Sequence, residues 1–181
     1  KNPIQRISLK SQGVSTISGK DIWYDADIQK LNDEQRGMYL GAFEGEDKVL
    51  AIFSNGSYYT TSYDVSNRYQ GDVVRIEKLD PGKTYTVLYY DGAAKAHYVK
   101  RFCFVPSDNT PTSFISDSPK SKLIDISDDP RPQYKVVWKM EGKDKILRID
   151  MTDATIIEQD VVNLSYPFAT SSYRFFDLSN L

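Results

Sequence analysis

Apolar and polar residues along this chain fall into short runs, several of them alternating, and none keeps the 3.6-residue period of a helix. Residues 48–61, KVLAIFSNGSYYTT, are the clearest stretch. Val49–Phe53 is apolar on both faces, the pattern of a strand buried on each side. Ser54-Asn55-Gly56 follows, and because Asn and Gly both tolerate positive φ it predicts a tight hairpin turn. Residues 57–61 return as a β-rich run of Tyr and Thr after Ser57.

The same reading extends along the chain. Residues 4–9 alternate, with Ile4, Ile7 and Leu9 apolar against Arg6, Ser8 and Lys10, and predict a strand. Residues 11–19, SQGVSTISG, form a glycine-bounded loop. Residues 20–24 and 28–31 are brief extended pieces around Asp25-Ala26-Asp27, residues 32–37 a polar turn, and residues 38–43 a strand leading to a turn at Gly45-Glu46-Asp47. Residues 63–69 suit either a strand or one helical turn. Strands are expected at 72–79, 84–90 and 97–105, with turns at 80–83 and at Asp91-Gly92. Residues 106–119 read as a loop with Phe114-Ile115 pinned inside it, the one candidate sub-boundary in an otherwise single domain spanning 1–181. Beyond it come 122–126, a second hairpin from 133–140 and 145–151 around Glu141-Gly142-Lys143-Asp144, and short extended pieces at 160–164 and 172–178. About a dozen short strands between turns indicate a sandwich, barrel or propeller. LAIFSNGSYYT, VLYYDGAAKAHYVKRF and VVWKMEGKDKILRIDM each read strand, turn, strand, a faint echo with a unit of about 45 to 50 residues.

Composition narrows the function. A chain of 181 residues with 40% hydrophobic and 13% aromatic content can bury a core and is not a disordered tail. No apolar run reaches the length of a membrane span, and there is no signal-peptide pattern. The start at Lys1 leads us to expect a piece of something longer. Cys103 is the single cysteine, which excludes an internal disulfide and fits a reducing cytoplasm. His97 is the single histidine, so histidine metal clusters and Ser-His-Asp triads lack parts. Cys103, between two phenylalanines, reads as a buried inert thiol. Asp25-Ala26-Asp27 and Asp128-Asp129-Pro130 lack the spacing of a calcium loop and read as solvated turn acids. There is no glycine-rich phosphate loop, and no catalytic, metal or cofactor site is expected.

A net charge of −2 argues against a strong nucleic-acid binder, but the charge is uneven. Residues 1–20 carry Lys1, Arg6, Lys10 and Lys20 and no acid, so an average hides local patches. Lys10 and Lys20 flank the glycine-bounded loop, Arg36 lies in the next polar turn, and Arg75, Lys78, Lys95, Lys100 and Arg101 follow. Either a solvated face or a track of phosphate contacts fits these cations. Lys100 and Arg101 are strand neighbours and point to opposite faces.

NPIQRISLKSQGVSTISGKDIWYDADIQKLNDEQRG, then YLGAFEGEDKVLAIFSNGSYYTTSYDVSN and YVKRFCF, resemble the C-terminal domain of ParC from bacterial topoisomerase IV, a homologue of the gyrase A C-terminal domain. The resemblance covers residues 2–150, and PKSKLIDISD resembles a later segment of that family. It implies a β-pinwheel, a partial or complete ring of four-stranded blades that exchange strands, whose basic rim binds and bends duplex DNA beside a separate cleavage core. The fragment would be non-catalytic and cofactor-free, part of an ATP-dependent type IIA enzyme of the bacterial cytoplasm and nucleoid. Its partners would be duplex DNA, the rest of the ParC polypeptide and the topoisomerase's ATPase subunit. Carried onto this chain, the DNA contacts would be Arg6, Lys10, Ser15, Thr16, Lys20, Arg36, Lys100 and Arg101. Two departures matter. Gln35-Arg36-Gly37 is only a fragment of the gyrase-type QRRGGKG box, which implies decatenation and relaxation rather than supercoiling. VVNLSYPFATSSYRFFDL keeps one base, Arg174, where the family has a lysine- and glycine-rich stretch. The competing expectation is a protein- or glycan-binding β-domain using exposed tyrosines.

Overall fold

The computed structural model describes residues 19–130 and, as backbone, residues 133–140, 143–150, 159–160 and 174–177. Among these there is no helix, and the expected all-β class holds. The strands are β1 (Lys20–Asp25), β2 (Lys30–Asn32), β3 (Met38–Phe43), β4 (Val49–Phe53), β5 (Ser57–Thr61), β6 (Val73–Lys78) and β7 (Thr84–Asp91). They continue with β8 (Ala96–Cys103), β9 (Thr112–Ser113), β10 (Lys122–Ser127), β11 (Gln133–Met140), β12 (Lys143–Asp150), β13 (Gln159–Asp160) and β14 (Arg174–Asp177). The strand expected at 4–9 lies outside the described residues. Residues 63–69 are neither strand nor helix: Asp64 turns the chain by accepting from the Ser66 and Asn67 amides.

The strands form four antiparallel sheets, which we number in chain order. Sheet 1 is ordered β2-β1-β3, sheet 2 β6-β4-β5-β9, sheet 3 β10-β7-β8-β13 and sheet 4 β12-β11-β14. One plan recurs in all four. The first strand of a hairpin lies inside, between its hairpin partner and the third strand to arrive. In sheets 1, 2 and 3 the outer edge of the second strand is then taken by backbone from the following unit. β9 pairs with β5 although it falls between β8 and β10, and β13 pairs with β8 although it falls between β12 and β14. On β2 the same place is held by Arg68, bridged to Lys30, with the Tyr69 amide donating to Gln29 O at 2.9 Å. The four units start at Lys20, Val49, Thr84 and Gln133, so the early intervals are shorter than the echo in the sequence suggested.

β4 is buried along its whole length, as its double-sided apolar pattern requires. Val49, Ala51 and Phe53, with Ile76 of β6 beside them, pack with Ile22, Tyr24, Leu31 and Phe43 of sheet 1 and with Tyr69. Leu50 and Ile52 face the other way, onto Tyr85, Val87 and Tyr89 of sheet 3 with Phe104, Phe114 and Ile115. Sheet 2 is therefore the shared middle layer of two cores. Alternation along a strand puts successive side chains on opposite faces, which is why one five-residue run can serve both.

The turn after β4 departs from the expected pair of positive-φ residues. Only Gly56 is left-handed, at φ +77°, and the Gly56 amide donates to Phe53 O at 3.0 Å. Asn55 serves through its side chain, accepting from the Ser57 amide at 3.0 Å and the Ser57 hydroxyl at 2.7 Å. This three-residue loop suits a type I turn closed by a left-handed glycine. Gly56 is also required by packing, because a Cβ there would collide with the Ile115 side chain. Phe114 and Ile115 are buried as expected, and the Phe114 amide donates to Gly56 O at 3.0 Å, so the 106–119 segment clamps the hairpin.

Candidate nucleic-acid interface

Arg6, Lys10, Ser15 and Thr16 lie outside the described residues. Lys20 opens β1, and its ammonium sits 2.9 Å from Asp33, whose carboxyl is held below the usual range by that hydrogen bond. Arg36 reaches Glu34 at 2.8 Å. Both cations are thus gathered around one loop, and the loop has a clear cause. Buried Asn32 donates to Arg36 O at 2.9 Å and accepts from the amides of Glu34 and Arg36 at 3.1 and 3.0 Å. Gln35 and Gly37 take the left-handed conformation that closes it, and a side chain at Gly37 would strike the Tyr24 carbonyl. Each cation already carries a carboxylate, so the loop offers little net positive charge.

Lys100 and Arg101 are separated as strand geometry demands. Lys100 lies 5.5 Å from the Tyr89 and Phe102 ring centres, a half-buried ammonium over aromatic faces. Arg101 is 3% exposed and donates from Nη2 to Pro130 O at 3.1 Å. A guanidinium so enclosed braces sheet 3 against the chain after β10. The structure brings Lys20 and Arg36 together and puts Lys100 and Arg101 on another sheet.

Other cations are also consumed internally. Arg75 and Glu77 of β6, Lys83 before β7 and Asp128 after β10 form a closed square of ion pairs. Tyr85 lies against both cations and donates its hydroxyl to Glu77. Burial, followed by that hydrogen bond, pushes the Tyr85 phenol well above its ordinary range. Asp128, expected as a solvated turn acid, is instead held at about 2, chiefly by Lys83 and then by Arg75. Lys78 bonds Asp47 at 2.6 Å, and Lys48 lies 3.4 Å from Asp108. Most of these partners are distant in sequence, which is why residue spacing did not reveal them.

Exposed cations without an ion pair among the described residues are Arg68, Lys95, Lys120 and Lys122. Of these only Lys95 stood out by residue type. Lys120 and Lys122 flank a single serine, and their freedom is visible only in the fold. Among the described residues no group of three or more His, Cys, Asp and Glu is placed to hold a metal ion.

The family model described as "Topoisomerase C-terminal domain, Bacteroidota" matches residues 30–159, which run from β2 to the start of β13. No curated protein and no solved structure matches the chain.

Proposed function

Because this chain belongs to the Bacteroidota topoisomerase C-terminal domain family, we propose that it is the DNA-binding and DNA-bending domain of a type IIA topoisomerase, carried by the ParC polypeptide of topoisomerase IV. The observation that carries the reading is the family match across most of the chain. The four recurring sheets, with edge strands passed from each unit to the one before, suit a β-pinwheel of blades. In this reading the chain presents duplex DNA to a cleavage core elsewhere in the same polypeptide, for decatenation and relaxation, within the bacterial cytoplasm. Its protein partners are the rest of ParC and the topoisomerase's ATPase subunit.

The physical mechanism needs only cations along a curved surface. Each neutralised phosphate releases counterions, and this term supplies most of the sequence-independent affinity. Bending a short duplex costs about 1–6 kcal/mol, offset by the contacts that the bend permits. With a net charge of −2 and so many cations paired internally, affinity is weak and falls steeply with salt. Titrating the full chain with a duplex between about 50 and 200 mM salt tests this. Salt-dependent binding without sequence preference is expected. Absence of binding at low salt, or binding indifferent to salt, refutes it.

One feature favours a protein- or glycan-binding reading. Trp23 and Tyr39 pack with ring centres 4.9 Å apart, and the Tyr39 hydroxyl donates to Asp21 at 2.6 Å, an aromatic pair with exposed Tyr39 as its polar handle. Salt-insensitive ligand binding that Trp23→Ala abolishes would select that reading.

A further inference from the structure

Sheet 3 ends, at its β7–β8 turn, in lysines that no carboxylate among the described residues neutralises. Lys95 closes the turn in the left-handed conformation, φ +56°, and is exposed. The nearby Asp91 carboxylate is engaged by the turn itself, accepting from the amides of Ala93 and Ala94 at 2.8 and 3.0 Å. Lys120 is laid directly against this turn. A Cβ on Gly92 would stand 2.5 Å from the Lys120 Cβ and 2.7 Å from its carbonyl carbon, so only glycine permits the approach. The Gly92 amide donates to Ser121 Oγ at 2.9 Å, and that hydroxyl shares a hydrogen bond with Ser116. One residue further on, Lys122 pairs with Tyr90, and Tyr90 with His97, setting the three in a row across the sheet.

Lys95, Lys120 and Lys122 are therefore held at one sheet end by a glycine contact, a hydroxyl pair and a strand register. None of the three has an ion pair among the described residues, and besides Asp91 the acid within residues 91–96 and 116–122 is exposed Asp117. By contrast, Lys20, Lys48, Lys78 and Lys83 all lie within 3.4 Å of a carboxylate. An ammonium already bonded to a carboxylate offers no net charge to a phosphate; an unpaired one does.

We propose that Lys95, Lys120 and Lys122 form a phosphate-backbone contact for duplex DNA at this end of sheet 3. The proposal rests on the DNA-binding reading above and assigns it a place that the resemblance did not. Three point charges on flexible stems position the duplex through its phosphates and give no sequence preference.

The test compares the full chain with its K95Q/K120Q/K122Q and K95R/K120R/K122R variants in duplex titrations over about 50–200 mM salt. Each lost phosphate contact lowers the slope of log K against log salt by about 0.9, so the glutamine variant loses up to about 2.7 while the arginine variant keeps the slope. The K20Q/R36Q variant changes the slope by less. Should the glutamine triple melt early, K95Q alone at the turn tip decides, with an expected slope loss of about 0.9. A glutamine variant, triple or single, that binds with the slope and affinity of the unaltered chain overturns the proposal and leaves the DNA-binding reading standing. An unaltered chain that does not bind duplex at low salt overturns both.

Discussion

Replacing Asp128 with Asn removes one corner of the ion-pair square between sheets 2 and 3 while keeping its shape. Asp128 Oδ2 accepts from Arg75 at 2.6 Å and from Lys83 at 2.7 Å, and Glu77 holds the same cations at 3.1 and 3.0 Å. Bonds of this charge-assisted kind contribute about 1.5–3 kcal/mol when well shielded. Asp128 is 39% exposed, so solvent screening brings each closer to the surface value of about 0.2–1 kcal/mol. The expected loss at neutral pH is about 1–2 kcal/mol. Linkage gives an independent route to the number. The Asp128 carboxyl titrates at about 2 in the fold, against about 3.9 in an unfolded chain. Unscreened, that difference corresponds to about 2.6 kcal/mol, and with the same discount to about 1. Because the folded value is the lower one, the stabilisation is complete above about pH 4–5 and disappears as pH falls through about 2. Urea unfolding of the unaltered chain and of Asp128→Asn, followed by tryptophan fluorescence at steps from neutral to acid pH, measures both effects. The gap between the two curves should be largest at neutral pH and shrink steadily below about pH 4. A gap constant across that range, or no gap at neutral pH, would refute the assignment of Asp128 to the network.

Two further perturbations address the middle layer. Gly56→Ala should destabilise by about 1–3 kcal/mol, since it strains a left-handed residue and overlaps Ile115. Pairing it with Ile115→Val should recover part of the loss in urea melts, and strict additivity of the two changes would count against the contact. Ile52→Ala, at a fully buried position between sheets 2 and 3, should cost about 2–5 kcal/mol. A loss below about 1 kcal/mol would mean that the core between these two sheets is not packed as described.

Strand and turn positions could be read from the sequence because they rest on local causes. A double-sided apolar run marked β4 as buried on both sides, and glycine with asparagine located the hairpin turn. The family resemblance, carried by runs such as DIWYDADIQKLNDEQRG, agrees with the match over residues 30–159 at the level of a topoisomerase C-terminal domain. The candidate site was less legible. Lys20 and Arg36 stand out in the sequence as cations, yet acids in the adjoining loop take up their charge, and Arg101 is an interior brace.

By itself, then, the sequence determined that the chain is built of strands, where many of them turn, and which one lies at the centre. Each of these depends on φ preferences and side-chain alternation within a few residues. Tertiary structure alone decided which edge receives β9, because a two-residue strand has no pattern of its own and is placed by the unpaired edge of β5. It also decided which cations are spoken for. Asp128 meets Arg75 across a separation of 53 residues, while Lys95, Lys120 and Lys122 meet no carboxylate among the described residues, and charge cancels by distance in space rather than by order along the chain.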